Sequence, residues 1–436
     1  MSSENAASVP RIVVVGGGAG GLELATKLGR KLGRRGKAEI TLVDFSKTHI
    51  WKPLLHEVAA GTLDSHEDEL DYLAQAKCSH FRFVLGRMTG LDRAAKTVRL
   101  AALQSPAGEE MIPERDISYD YLVLAVGSLC NDFGVPGVVE HCLFLDTTQE
   151  AEQFQQKLME AYLRVHVHGG PLDIVIVGGG ATGIELSAQL HEISHLLNAY
   201  GLDRVKPADV RIAIVEASSR LLPQLPERLS KATLHELQNL GVTVHLGEQV
   251  VKVSDAGVET QSGRFISGGL KVWAAGIKAP DFLKDIAGLE SNRINQLVVR
   301  PTLQSTRDDA IFAIGDCAAC PWPEKNANVP PRAQSAHQQA DLAGDNLLRL
   351  LAGKKLAEYR YRDYGSLVSL GRFSTVGNLM GGLTGGSLMI EGLVARMVYL
   401  SLYKMHQVAL FGLFRAGLLS VSHVFRRAVH PRIKLH

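Results

Sequence analysis

The chain has 436 residues, enough for two or three domains, and its composition (46% hydrophobic, 6% aromatic, 43 glycines) is globular with many tight turns. A formal net charge of +2 argues against nucleic-acid binding spread over the surface. Five cysteines (Cys78, Cys130, Cys142, Cys317, Cys320), few and odd in number, fit a reducing compartment and not a disulfide framework.

The start, MSSENAASVP, is polar and lacks the basic and apolar regions of a secretion signal, so export is not expected. The apolar run Arg11–Val15 ends in glycines and passes into a helical pattern from Gly20 to about Leu32. AEITLVD (Ala38–Asp44) is the next strand, giving a β-α-β order with parallel pairing expected. YDYLVLAVGS is a further apolar strand ending in small residues. After Asp173 the first order repeats: strand, glycines, helix and the strand VRIAIVE (Val210–Glu216). LKVWAAGI and AIFAIGDCA (Ala310–Ala318) are later strands, the latter running into a turn. Composition changes after about Tyr359, with LMGGLTGGS followed by the apolar but basic-punctuated segment Leu393–Phe425. If the second unit is inserted into the first, its borders fall near Leu145 and Gly276. The expected division is 10–145 and 277–358 for the two parts of one domain, 146–276 for the inserted one, and 359–436 for a C-terminal region.

The repeat is close. VVVGGGAGGLELA at Val13 returns as VIVGGGATGIELS at Val175. In each, a G-x-G-x-x-G turn follows a strand and opens a helix: Gly16, Gly18 and Gly21, then Gly178, Gly180 and Gly183. The first glycine permits the tight turn, the second lets a pyrophosphate approach the backbone, and the third lets helix and strand pack. Phosphate then meets unpaired N–H groups at a positive helix end. An acid ending the second strand accepts ribose hydroxyls, a role for Asp44 and for Glu216, the latter set further off by HEISHLLNAYGLDRVKPAD. Two such units imply two dinucleotides and electron transfer between them, from a nicotinamide that comes and goes to a flavin held permanently.

With both motifs in view, the sequence resembles the flavoprotein reductases with two dinucleotide-binding domains. AIGDCA looks like their second flavin motif, with Asp316 near the ribityl and pyrophosphate, and LVLAVGS resembles the strand end where Ala125 and Gly127 pass the flavin. Disulfide reductases carry a cysteine pair on the segment after Asp44; FSKTHIWKPLLHEVAAG has none, which excludes that relay. Sulfide:quinone reductases need cysteines near the flavin and usually lack a full second glycine motif. WKPLLHEVAAG, GGGATGIELS, WAAGIKAPDFL, GDCAAC, PPRAQSAHQQA and ARMVYLSLYKMHQVALFG are similar to type II NADH:quinone oxidoreductases, single-subunit and non-pumping.

That resemblance implies an α/β fold with two Rossmann-like domains, the NAD domain inserted in the FAD domain, plus C-terminal amphipathic membrane-binding helices. It implies non-covalent FAD at Gly16, Gly18, Ala19, Gly20, Gly21 and Asp44, with Lys52, Met88, Ala125, Gly127, Asp316 and Gln334 also against it. NADH, the substrate, takes Gly178, Gly180, Thr182, Gly183 and Glu216, with Ala275 and Gly276 nearby and Glu185 at the flavin–nicotinamide junction. AQSAHQ looks like the quinone-site signature. Gln334 and Gln338 are i, i+4 on one helix face, with His337 nearby as a proton donor; the alternative is a polar helix start after Pro330-Pro331. Glu185 could instead cap or pair locally, as is expected of Glu23. Cys317 and Cys320 supply two ligands where structural zinc needs four, so packed, inert thiols and no metal are expected.

From Glu391 onward seven basic residues (Arg396, Lys404, Arg415, Arg426, Arg427, Arg432, Lys434) stand against one acid, a net of +6 that leaves −4 for the rest. No run of ~18 apolar residues occurs, so a spanning helix is not expected. At about 100° per residue along one helix, Lys404, Arg415, Ser422 and Arg426 form a narrow stripe, and Val408, Leu410, Leu413, Phe414, Leu419, Val421 and Phe425 cover the rest. Such a helix should lie in an anionic lipid bilayer surface, and the same face could seat a second copy in a homodimer. The expected protein is a respiratory-chain enzyme, peripheral on the cytoplasmic face of the inner (cell) membrane. It passes hydride from NADH to FAD and two electrons to membrane quinone, without pumping and with no nucleic-acid partner. The alternatives are a soluble NAD(P)H:ferredoxin or peroxide reductase, and a NADH-responsive membrane-binding flavoprotein sensor.

Overall fold

A computed structural model describes residues 9–105, 107–370, 374–381 and 386–429. The chain opens with β1 (Arg11–Val15), α1 (Ala19–Lys31), β2 (Glu39–Asp44), α2 (Leu55–Ala59), α3 (Tyr72–Ser79), β3 (Arg82–Leu85) and β4 (Tyr121–Leu124). α4 (Thr148–His168) crosses to a second unit, its start fixed by a capping box in which Thr147 and Glu150 bond each other's backbone N–H. There follow β5 (Leu172–Val177), α5 (Ala181–Leu196), β6 (Val210–Glu216), α6 (Glu227–Asn239), β7 (Thr243–Leu246) and β8 (Leu270–Trp273). The chain then returns with β9 (Ile311–Ala313) and α7 (Ala333–Leu351).

The first sheet has the order β9-β4-β1-β2-β3 and the second β7-β6-β5-β8; both are wholly parallel. Helices cover both faces of such sheets, so their strands read as continuous apolar runs. Ile12, Val13 and Val14 in β1, and Ile174, Val175 and Ile176 in β5, are accordingly all buried. In each sheet the glycine turn follows the first strand of the β-α-β unit, β1 or β5, so both turns open at a carboxyl edge, where α/β sheets bind ligands.

The C-terminal region departs from expectation. β10 (Gly365–Leu370), β11 (Ser374–Gly381) and β12 (Gly386–Glu391) form an antiparallel sheet, and β10 and β11 lie against α5 and α6. α8 (Gly392–Phe411) then packs on α1, and α9 (Leu413–Val429) follows. The single continuous helix assumed for residues 404–426 is corrected: Gly412 sits at φ +79° and separates two helices, so phases counted through it do not hold. Leu410, expected on the lipid-facing arc, is buried against the core. On α9 alone, Phe414, Leu418, Val421 and Phe425 are exposed, and their i, i+4, i+7, i+11 spacing gathers them within about 60°. Arg432 and Lys434 lie outside the described residues. Among the described residues no helix is long and apolar enough to cross a membrane.

Candidate active site

The two turns are built alike. Gly16 has φ +103°, and a Cβ there would stand 2.3 Å from the Ala125 carbonyl; at Gly21 it would stand 1.9 Å from the Gly16 carbonyl. Gly178 (φ +115°) and Gly183 repeat both constraints, against Ala274 and Gly178. At Gly18 and Gly180 a Cβ would meet nothing within 4 Å. Neither α1 nor α5 has a side-chain cap, so each presents unpaired N–H groups to that open space. This is the shape and polarity a pyrophosphate requires.

Each acid stands beside its turn. Asp44 Oδ2 accepts from the Gly17 N–H at 2.5 Å and Glu216 Oε2 from the Gly179 N–H at 2.6 Å. The other oxygens accept from Ser46 and Ser218. Burial pushes the Asp44 carboxyl up, against these N–H bonds. Arg220, the cation that could have met a 2′-phosphate beside Glu216, donates instead to the carbonyls of Pro223 and Leu225. NADH should therefore be preferred over NADPH in kcat/KM, and Glu216→Ala should narrow the gap about tenfold, or 1.4 kcal/mol. Equal values in the wild type would contradict the ribose role of Glu216.

Polar residues gather past the end of β4. Lys52 is surrounded by protein, yet 46% of its side chain is accessible, so it faces an opening and not a packed core. Its Nζ lies 3.0 Å from Asp146 Oδ1 and donates to the Ser128 carbonyl at 2.7 Å. Burial works against the Lys52 charge, but Asp146 and Asp316 outweigh it and its pKa is raised. Ser128 Oγ donates to Asp316 Oδ2 at 2.8 Å, and Gln296 holds the Asp316 carbonyl. Gly127 (φ +70°) leaves open space at the end of β4. Met88 is buried, Thr182 is exposed on the first turn of α5, and Ala275 and Gly276 follow β8.

Glu185 does not cap or pair within its helix. It is buried, accepts from the Ser369 N–H of β10 at 3.0 Å, and lies 3.5 Å from His56 Nδ1 on α2. Burial, with some repulsion from Glu57, raises its carboxyl to about 8, and burial lowers His56 to about 4. At neutral pH the carboxyl holds its proton and the imidazole is uncharged. His56 and Ser369 were not anticipated; the lone titratable ring in PLLHEV was the available signal for the first.

Gln334 and Gln338 share a face, and both amides are bound to backbone. Gln334 pairs with Tyr364 N–H and the Gly365 carbonyl and also meets Asp363; Gln338 pairs with both backbone groups of Arg362. His337 does not join them: it turns to α1 and meets Glu23. Glu23, expected to pair locally, is thus corrected to a long-range partner, because Lys27, the donor at i+4 on its own helix, is held by Asp341 and Asp345 of α7 and leaves the carboxylate to the imidazole. Cys317 and Cys320 are buried free thiols, pushed up to about 12 by burial, as expected of inert packing. Among the described residues no cluster of three metal-binding side chains occurs.

Residues 10–340 match the family described as pyridine nucleotide-disulphide oxidoreductase. The chain is 44% identical to the type II NADH:quinone oxidoreductase of Haemophilus influenzae, over 98% of this chain and 99% of the relative. It is 28% identical to the protein of that name from Staphylococcus aureus, over 85% and 90%. In fold it is similar to NDH2 from Plasmodium falciparum, solved in complex with NADH (TM-score 0.80, 18% identity, 98% of this chain and 100% of that one). It also resembles the sulfide:quinone oxidoreductase of Aquifex aeolicus (TM-score 0.73, 18% identity, 97% and 96%).

Proposed function

The chain belongs to the pyridine nucleotide-disulphide oxidoreductase family, among its type II NADH:quinone oxidoreductases, and from that premise we propose which residues carry the reaction. The protein is an FAD-dependent NADH dehydrogenase that reduces quinone. FAD, when bound, supplies the two-electron redox chemistry. The first turn, Asp44 and Met88 hold it; Lys52, Ala125, Asp316 and Gln334 line the space for its ribityl chain and ring. NADH takes the second turn with Glu216 on its ribose and Ala275–Gly276 beside its nicotinamide. The domain borders are placed at 145/146, 276/277 and 358/359.

NADH and one proton are consumed per quinone reduced to quinol. Glu185, uncharged below about 8, holds a proton inside the closed site and offers it to quinone; His56 and Ser369 keep it in place. Gln334 and Gln338 fix residues 362–365 along the edge of the site, where quinone docks. The pair of uncapped helix starts, each with an acid on its turn, carries this reading, because it provides for two dinucleotides in one chain.

The enzyme lies on the cytoplasmic face of the inner membrane through α9, with Lys404 and Arg415 toward anionic lipid, and works without proton pumping. Phe414 is 79% exposed and Phe425 70%, so replacing them alters the surface and not the core. Phe414→Ser/Leu418→Ser/Phe425→Ser should keep FAD and reduce a soluble acceptor with NADH. Its partition into anionic liposomes should fall roughly 100-fold, at about 1 kcal/mol per partly buried side chain. Its turnover of long-tailed quinone in those liposomes should fall with it. Unchanged sedimentation with liposomes would contradict the membrane assignment. A loss of self-association in place of lipid binding would assign the face to a homodimer.

A further inference from the structure

Outside the dinucleotide turns, a set of short polar contacts converges on α1. Glu23 is 8% exposed and accepts from two imidazoles: His337 Nδ1 of α7 at 2.5 Å and His406 Nδ1 of the tail helix α8 at 2.6 Å. The far nitrogen of His406, Nε2, lies 3.0 Å from His49 Nε2, and one of the two donates to the other. His49 is buried beside the Gly17 backbone, whose carbonyl also accepts from the Tyr72 hydroxyl. Burial holds His49 down to about 3, so it stays neutral. One carboxylate thus joins the helix that opens at the first glycine turn, the helix that carries Gln334, and the C-terminal tail.

The end of α8 is also held by carbonyl capping from α3 and α1. Gln75 donates to the Leu410 carbonyl, and Arg30 donates to those of Ala409 and Leu410. Trp51 stacks on His406 and lies tilted against Tyr403, and Lys27 with Asp341 stands one turn beyond His337. Removing the Glu23 carboxylate would leave the buried His406 N–H facing no acceptor, at its full desolvation cost, and the half-buried His337 without its partner.

We propose that Glu23 is a positioning residue that clamps the tail helix and the site helix to one another through His406 and His337, so that the quinone half-reaction depends on a carboxylate that touches no substrate. This rests on the reading above, in which α7 and the tail border the quinone site. The clamp is a charged device. Burial pushes the Glu23 carboxyl up, but the two imidazoles outweigh it and hold it below 4.5; its contribution is present above 4.5 and is lost as pH falls through the lowered value. His337 is raised above 6.5, chiefly by its bond to Glu23, so its contribution is full below 6.5 and is lost as pH rises through the raised value.

Hydrogen exchange on the full-length FAD-loaded protein tests the clamp. In Glu23→Gln, amides of residues 333–351 and 401–411 should both exchange roughly tenfold faster than in the wild type, as expected for a lost charged hydrogen bond, while those of α5 are unchanged. His406→Gln should loosen the tail helix alone and His337→Gln the site helix alone; these carry the test if Glu23→Gln does not retain FAD. In stopped flow, reduction by NADH should match the wild type in Glu23→Gln, and reoxidation by quinone should slow about tenfold. Wild-type exchange in the variants overturns the clamp. Loosened helices with unchanged reoxidation overturn its role in turnover. A wild type that fails to reduce quinone defeats the proposed quinone site, and exchange still decides the clamp.

Discussion

Glu185→Gln should slow reoxidation of the reduced protein by quinone about 100-fold at pH 7, the lower range for loss of a general acid, while reduction by NADH changes less than about threefold. The amide keeps the volume of the carboxyl and can still accept from the Ser369 N–H, so the fold has no reason to change. It cannot give a proton. The sign of the pH dependence follows from burial: the carboxyl is raised to about 8, so it carries a proton below that pH and loses it above. Wild-type reoxidation should fall as pH rises through about 8, and that limb should be absent in Glu185→Gln. Stopped-flow half-reactions across pH check both statements. A variant that reoxidises as the wild type does would leave Glu185 with only a structural part between α5 and β10.

Gly21→Val and Gly183→Val should fail in different ways. At both positions the new Cβ meets backbone, 1.9 Å from the Gly16 carbonyl and 2.3 Å from the Gly178 carbonyl, so the turn itself must move. Gly21→Val should be isolated without flavin. Gly183→Val should keep FAD and be reduced by dithionite, yet its reduction by NADH should drop by about 10²-fold or more, the cost of a misplaced coenzyme. Absorbance of the purified proteins and anaerobic titration measure this. Loss of flavin in Gly183→Val with retention in Gly21→Val would reverse the assignment of the two turns.

The turns, Asp44 and Glu216 were legible in the sequence because each unit is local: strand, glycines, helix and acid follow one another along the chain. The identity of the two copies made the assignment specific. What escaped was what the chain brings together from far apart. Glu23 meets His337 across 314 residues and His406 across 383, and nothing in LELA marks its glutamate as different from the one in IELS. His56 acquires meaning only when α5 places Glu185 beside it. The i, i+4 spacing showed that Gln334 and Gln338 share a face, but their partners are backbone groups of residues 362–365, which no spacing reveals. The tail was misphased because one glycine, Gly412, takes a left-handed conformation and restarts the helical count. Its exposed apolar face is consequently narrower and later than expected, on α9, and the preceding helix turns His406 and Leu410 to the core.

The most direct test follows the flavin absorbance of the full-length protein in anionic liposomes, reduced anaerobically with one equivalent of NADH and then mixed with a membrane quinone. NADH should bleach the flavin, and quinone should restore it with one quinol formed per NADH consumed. A flavin that NADH bleaches but quinone leaves reduced, while ferredoxin or peroxide restores it, would contradict the account.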